Sequence, residues 1–367
     1  MVKFLLSTRE FMKHTRVKLS RTKLLDVEFW MEKFFYDLTK TYNIITNNTK
    51  YEEIACLSSF PHTTSTLRPV FNELIKQGFH CKWVSKPIHD GGKLLYLNSD
   101  SPVPREIRSR TIWVPHGIGH EEPKPYHISC KRIFLTGEYF FDLYKEKPFG
   151  KDKLEVIGFP KLDILFSPDK ELIKERVKKE FNLDLPYEKN ILYTPSWIPT
   201  YFMFKPESIS FNKSVFSIIE MSQDLKMNLI IKPHPFTIKS CNKTIYHAAQ
   251  ARAKKMKNVV WINKNIEDIT PLYLFADVLI SDHSSTLFEF MLTEKISIQL
   301  TNVCSKEKLY DGTTKSSLKG LHKTIIQTIY NPYEFLDNQR KIIRKRVFKP
   351  DGNASKRAVK IIEKLLS

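Results

Sequence analysis

Cysteine is scarce in this sequence and poorly spaced for chemistry. Cys56, Cys81, Cys130, Cys241 and Cys304 are scattered and never fall in C-x-x-C spacing, which argues against a zinc site and fits reduced thiols. Long apolar runs are missing too: nothing approaches the ~18–20 residues that cross a bilayer. The opening MVKFLLSTRE carries too short an apolar stretch for a signal peptide, and no small-residue cleavage site follows it. The chain is therefore expected in the cytoplasm. There is no G-x-G-x-x-G fingerprint, no G-x-x-x-x-G-K-[ST] loop and no G-x-S-x-G elbow. These absences disfavour a dinucleotide dehydrogenase, a P-loop ATPase and an α/β-hydrolase. No convincing Asp-x-Asp is found either, so neither a metal nor a cofactor is expected.

Acidic residues are outnumbered: 59 Lys and Arg against 40 Asp and Glu give a net charge of +19 over 367 residues. Such a balance calls for nucleic acid, an anionic membrane surface or anionic substrates. The basic residues are spread along the chain without a zinc finger, RNP motif or basic zipper, so nucleic acid is not expected as a partner. One dense group, Lys13, Arg16, Lys18, Arg21 and Lys23, precedes Phe29, Trp30, Phe34, Phe35 and Tyr36. On a helix this pattern suits an anionic leaflet with the apolar face inserted, and it equally suits packing on a neighbouring lobe.

From about residue 54, short apolar runs bounded by polar residues or proline alternate with helical stretches, as in parallel sheets buried on both faces. Strands are predicted at 54–59, 80–85, 94–99, 111–116, 132–137 and 156–160, and again at 191–196, 228–235, 259–263, 277–282 and 296–300. The division that follows is a basic N-terminal segment (1–50), a first Rossmann-like domain (51–170), a second (171–335) and C-terminal helices (336–367) that cross back toward the first. The fold class is α/β, and two doubly wound units imply a cleft with ligands at the carboxyl ends of the strands.

Unusual polar residues collect just after predicted strands. Pro115-His116-Gly117-Ile118-Gly119-His120 follows TIWV; a histidine there suits proton acceptance from a hydroxyl, and the glycines allow close backbone approach. The same residues would also make a plain turn with a structural histidine. Lys232-Pro233-His234-Pro235 follows NLII, where a cation and an imidazole on a stiff loop can carry the charge of a leaving phosphate. Asp282-His283-Ser284-Ser285 leads into LFEFML, with hydroxyls at a predicted helix start that serve phosphate or simply cap the helix, and with Glu289 one turn on, directed at a ribose or at solvent. Thr194 and Ser196 sit in Tyr193-Thr194-Pro195-Ser196-Trp197, at a further strand end.

In this order the motifs resemble the CDP-glycerol glycerophosphotransferase family of teichoic-acid and capsule synthesis. His116-Gly117 is similar to the family's His-Gly element, and Gly158-Phe159-Pro160-Lys161-Leu162-Asp163 to its Gly-x-Pro-Arg-x-Asp, with Lys161 in place of Arg. Tyr193 to Trp197 resembles its Tyr-x-Pro-Thr-[Phe/Trp] segment, although Ile198 stands where an Arg commonly follows. Lys232 to Pro235 resembles Lys-x-His-Pro, Ser284-Ser285 the paired serines, and Asp351 to Arg357 the closing Asp-Gly-x-Ala-Ser-x-Arg.

The resemblance implies a GT-B enzyme on the inner face of a bacterial membrane, with two facing Rossmann-like domains. It would transfer polyol phosphate, glycerol phosphate first among candidates, from a CDP-activated donor to a hydroxyl of an anionic glycopolymer or its lipid-linked precursor, releasing CMP. His116 would be the general base, and His234 would stabilise the transferring phosphoryl group or the departing CMP. Thr194, Ser196, Lys232, Asp282, Ser284, Ser285 and Glu289 would hold the donor, and Gly117, Gly119 and His120 would form the acceptor loop. Three other readings stand beside it. One is a GT-B glycosyltransferase using CMP-sialic acid or CMP-Kdo, which shares the His-Pro and Ser-Ser elements. The others are a sugar-nucleotide epimerase and a non-catalytic, membrane-associated nucleotide binder.

Overall fold

A computed structural model describes residues 26–34, 51–58, 61–88, 90–99, 103–119, 122–148, 150–196, 210–264, 266–303 and 309–367. The basic cluster at 13–23, Phe35, Tyr36, His120, Trp197 and Ile198 lie outside them. The described strands form two six-stranded, wholly parallel sheets. The first comprises β1 (Glu53–Leu57), β2 (Cys81–Val84), β3 (Leu94–Asn98), β4 (Thr111–Trp113), β5 (Arg132–Leu135) and β6 (Leu154–Val156), in the order β2-β1-β3-β4-β5-β6. The second comprises β7 (Asn190–Tyr193), β8 (Asn228–Ile231), β9 (Val259–Trp261), β10 (Val278–Ser281), β11 (Ile296–Thr301) and β12 (Thr314–Ser317), in the order β12-β11-β10-β7-β8-β9.

Strands such as LLYLN, NLII and VLIS are buried along their whole length, because helices cover both faces of each sheet. Two differences from the sequence reading have local causes. β6 lies at Leu154–Val156 rather than 156–160, because Pro160 opens a tight 3-10 turn, Pro160–Phe166, that extended backbone cannot share. β12, TKSS, pairs only with β11 and is too polar to register as a buried run.

The first sheet packs one face on the helices Pro61–Lys76 and Ala354–Leu366, through Leu67, Val70, Ala358, Val359 and Ile362. The last helix is fastened there by Asp163, whose carboxylate accepts the N–H groups of Ala354 (3.0 Å) and Ser355 (2.8 Å) and the Ser355 hydroxyl (2.7 Å). Arg357 adds bonds to Asp351 and to the Ile157 carbonyl. Two of the quoted motifs, far apart in sequence, thus meet as a helix cap. Asp163→Ala is expected to cost about 1–2 kcal/mol in a urea titration, as for other lost caps; no change would mean the helix holds without it.

The other face of the first sheet and one face of the second share a continuous apolar cluster. It runs from Trp113, Ile118 and Leu135 to Leu192, Ile230 and Leu279.

Candidate active site

All strands of a parallel sheet end on one edge, so each residue that follows a strand is delivered to that edge. In the second sheet the chain starts at β7 and then winds outward in both directions, which makes β7 and β10 the switch point where such folds open a crevice. Thr194 and Ser196 leave β7, Asp282 to Ser285 leave β10, and Lys232 and His234 leave β8, the other neighbour of β7. Residues predicted separately are therefore gathered from three adjacent strands.

These loops are cross-linked. The Ser196 N–H and hydroxyl both donate to Asp282 Oδ1 at 2.8 Å. The Thr194 and Thr286 hydroxyls lie 3.2 Å apart, and the Ser281 hydroxyl donates to the Thr194 carbonyl at 2.5 Å. Gln299, which sequence reasoning missed, donates to the Asp282 carbonyl at 2.8 Å from β11. Ser284 Oγ accepts from the Thr286 N–H (3.3 Å) and hydroxyl (2.9 Å).

Lys232 is buried, its ammonium donating to the Pro233 carbonyl at 2.9 Å, and burial holds its pKa below the usual lysine range. His234 Nδ1 accepts the Phe236 N–H at 3.2 Å, so in the neutral ring the proton is on Nε2, a hydrogen-bond donor.

Glu289 does not face solvent. It is 1% exposed, and its Oε2 accepts from Lys161 Nζ at 3.0 Å and from the Tyr273 hydroxyl at 2.8 Å. Ser285 Oγ donates to its Oε1 at 3.3 Å. Burial works against the charge on Lys161, but the carboxylates of Glu289 and Asp268 outweigh it and raise the ammonium pKa. Burial and the Glu289 charge together push the Tyr273 phenol well up. Lys161 comes from the turn after the first sheet, so this buried ion pair joins the two halves.

In the first sheet His116 follows β4 and is partly exposed, while Gly117, Ile118 and Gly119 are buried. A Cβ added at Gly119 would sit 3.3 Å from the Ser285 Cα and Cβ. The loop carrying His116 therefore rests on the Ser284-Ser285 loop, at a distance that glycine serves best.

Two parallel Rossmann-like sheets whose strand-end loops meet across a cleft define a GT-B protein. Solved structures of similar architecture include the wall teichoic acid polymerase TagF, with TM-score 0.63 at 13% identity, covering 92% of this chain and 98% of that one. A UDP-GlcNAc 2-epimerase from Neisseria meningitidis matches with TM-score 0.57 at 16% identity, over 85% of this chain and 100% of that one. Within this fold, residues 138–300 match the family model described as CDP-Glycerol:Poly(glycerophosphate) glycerophosphotransferase, the family the motifs resemble.

Among curated relatives, the teichoic acid poly(glycerol phosphate) polymerase of Bacillus spizizenii is 28% identical over 141 residues, 36% of this chain and 31% of that protein. The teichoic acid poly(ribitol-phosphate) polymerase of the same organism is 28% identical over 229 residues, 55% of this chain and 34% of that protein. The chain thus spans about a third of the length of the curated relatives it matches.

Proposed function

We propose that the protein transfers glycerol phosphate from CDP-glycerol to a hydroxyl of an anionic glycopolymer or its lipid-linked precursor. The observation that carries this reading is the contact of Gly119 with Ser285, which sets the His116 loop against the loop of the family's paired serines. His116 takes the proton of the acceptor hydroxyl, whose oxygen bonds to the phosphorus while the bond from phosphorus to the CMP oxygen breaks. Catalysis of this kind is alignment and charge stabilisation.

His234, through Nε2–H, and Lys232 stabilise the departing CMP, and Ser284 and Ser285 hold the diphosphate. Thr194, Ser196 and Asp282 shape the same pocket through their cross-links, and Glu289 acts on it through Ser285. In this scheme Lys232 and the Nε2–H of His234 carry the charge that develops on the leaving group, and no step is assigned to a metal or cofactor.

The enzyme works at an anionic membrane surface. No helix among the described residues is long and apolar enough to cross a membrane. The helix at 26–34 packs on the first sheet's side by Phe29 and by Glu32, which pairs with Arg108 at 3.1 Å. It presents Trp30 and Phe34, 64% and 61% exposed, on its outer side. An exposed aromatic pair following a basic segment suits a headgroup interface.

The test is to incubate the protein with CDP-glycerol, CDP-ribitol or CMP-sialic acid and candidate acceptors, measuring CMP release. Release from CDP-glycerol is expected to dominate. Turnover with CMP-sialic acid alone would replace this reading by sugar transfer, and no turnover with any donor would leave a nucleotide binder.

A further inference from the structure

Arg346 is the last residue of the helix Pro332–Arg346, in a run where basic residues ordinarily face water. It is nevertheless only 8% exposed. Its guanidinium carbon lies 4.1 Å from the ring centre of Tyr139 and 4.0 Å from that of Phe288. Tyr139 belongs to the helix Glu138–Lys145, on the first sheet's side, and Phe288 to the helix Thr286–Met291 that follows Ser285. From between these rings Nη1 donates to the carbonyls of Ile118 (2.8 Å) and Gly119 (3.2 Å). One cation is thus clamped by an aromatic from each half and holds the backbone of the loop that carries His116.

The surroundings are built around this placement. At Gly137, which precedes the Tyr139 helix, a Cβ would lie 2.5 Å from the Arg346 carbonyl carbon and oxygen, so no other residue fits without displacing the helix end. Two residues past Arg346, the Phe348 N–H donates to the Thr136 carbonyl at 2.7 Å. At its middle the same helix is tied to the second sheet by Gln339, which accepts the Ser297 N–H at 2.8 Å and donates to the Lys295 carbonyl at 2.9 Å. The helix is therefore anchored in one half and delivers Arg346 into the other. Planar guanidinium suits two roles at once, stacking on rings and donating in its own plane, and lysine reproduces neither fully.

We infer that Arg346 is a positioning residue: it fixes the 117–119 loop, and hence His116, against the Ser284-Ser285 loop, without touching donor or acceptor. The inference rests on the proposed role of His116, and its test separates the two. In the full chain, Arg346→Met keeps bulk between the rings but removes the donors, and Arg346→Lys keeps the charge and one donor. CMP release from CDP-glycerol is measured beside donor affinity by calorimetry, the fraction folded, and hydrogen exchange of the amides of residues 117–119.

For Arg346→Met, kcat per folded molecule is expected to fall roughly 100-fold, the scale of a displacement of about 1 Å near the chemistry. Donor affinity should stay within about twofold, and the loop amides should exchange faster. Arg346→Lys should recover part of kcat. The inference is overturned if kcat per folded molecule is unchanged, if donor affinity falls as far as kcat, or if loop exchange is unaltered. Should the parent protein not turn over CDP-glycerol at all, the proposed function fails. Exchange of 117–119, which needs no turnover, then decides alone on Arg346: faster exchange in the Met variant sustains its positioning role and unchanged exchange ends it.

Discussion

Replacing His116 by alanine is expected to lower glycerol phosphate transfer by about 10²–10⁴-fold, the range for loss of a general base, while CDP-glycerol binding survives. The split follows from where the residue stands. His116 leaves β4 of the first sheet, whereas the residues assigned to the donor leave β7, β8 and β10 of the second. Its loop reaches the donor loops through Gly119, where an added Cβ would come within 3.3 Å of Ser285, tighter than an ordinary contact. A base delivered from the opposite side of a cleft acts on the acceptor, so its removal slows chemistry and leaves ground-state donor contacts intact.

His116→Gln, which keeps size and one polar contact, should be nearly as inactive, since glutamine cannot accept the proton. CMP release and calorimetric affinity for CDP-glycerol together check this. A parallel loss of donor affinity would move His116 into the donor site, and undiminished transfer would take the base role from it. The companion change His234→Ala should behave differently. The fixed Nε2–H donor is lost from the second sheet's side, so both turnover and nucleotide affinity are expected to fall.

The parallel α/β architecture was legible because strands buried on both faces must be short unbroken apolar runs, and LLYLN, NLII and VLIS are such runs. The strand that escaped, TKSS, lies at a sheet edge with one neighbour, where no such composition is imposed. Much of the candidate site was legible for a related reason: in a parallel sheet the polar residue just past a strand is delivered to the ligand edge whatever the rest of the chain does. What stayed hidden depends on how the two halves pack. Arg346 sits in a helix ending Arg344-Lys345-Arg346, and nothing in that spelling marks one cation for burial between two rings. Lys161 was visible as a motif residue, but its partner Glu289 is 128 positions away and belongs to the other sheet.

That ion pair carries the second large expected effect. Glu289→Ala is expected to destabilise the protein by about 3–5 kcal/mol, the cost of leaving one charge of a buried pair without the other. Lys161 has 11% of its side chain exposed and Glu289 1%, so water cannot take over for the missing carboxylate. Asp268 cannot substitute fully. Its carboxylate is itself partly withdrawn from water, which raises its pKa, and Lys161 only partly offsets that. The two removals are therefore unequal to a joint one: Lys161→Met with Glu289→Leu takes out both charges and should cost less than Glu289→Ala alone.

Urea unfolding of Glu289→Ala, of the singles Lys161→Met and Glu289→Leu, and of the double variant that combines these two measures this directly. Costs that simply add, or a Glu289→Ala cost near that of an exposed pair, ~1 kcal/mol or less, would mean the pair is solvated. The functional consequence separates stability from site geometry. Glu289 also accepts from Ser285, the residue against which Gly119 rests, so the charge-free double variant should fold yet bind CDP-glycerol more weakly. A double variant that keeps full donor affinity would confine the Lys161–Glu289 pair to holding the halves together, and leave the paired serines to position the diphosphate unaided.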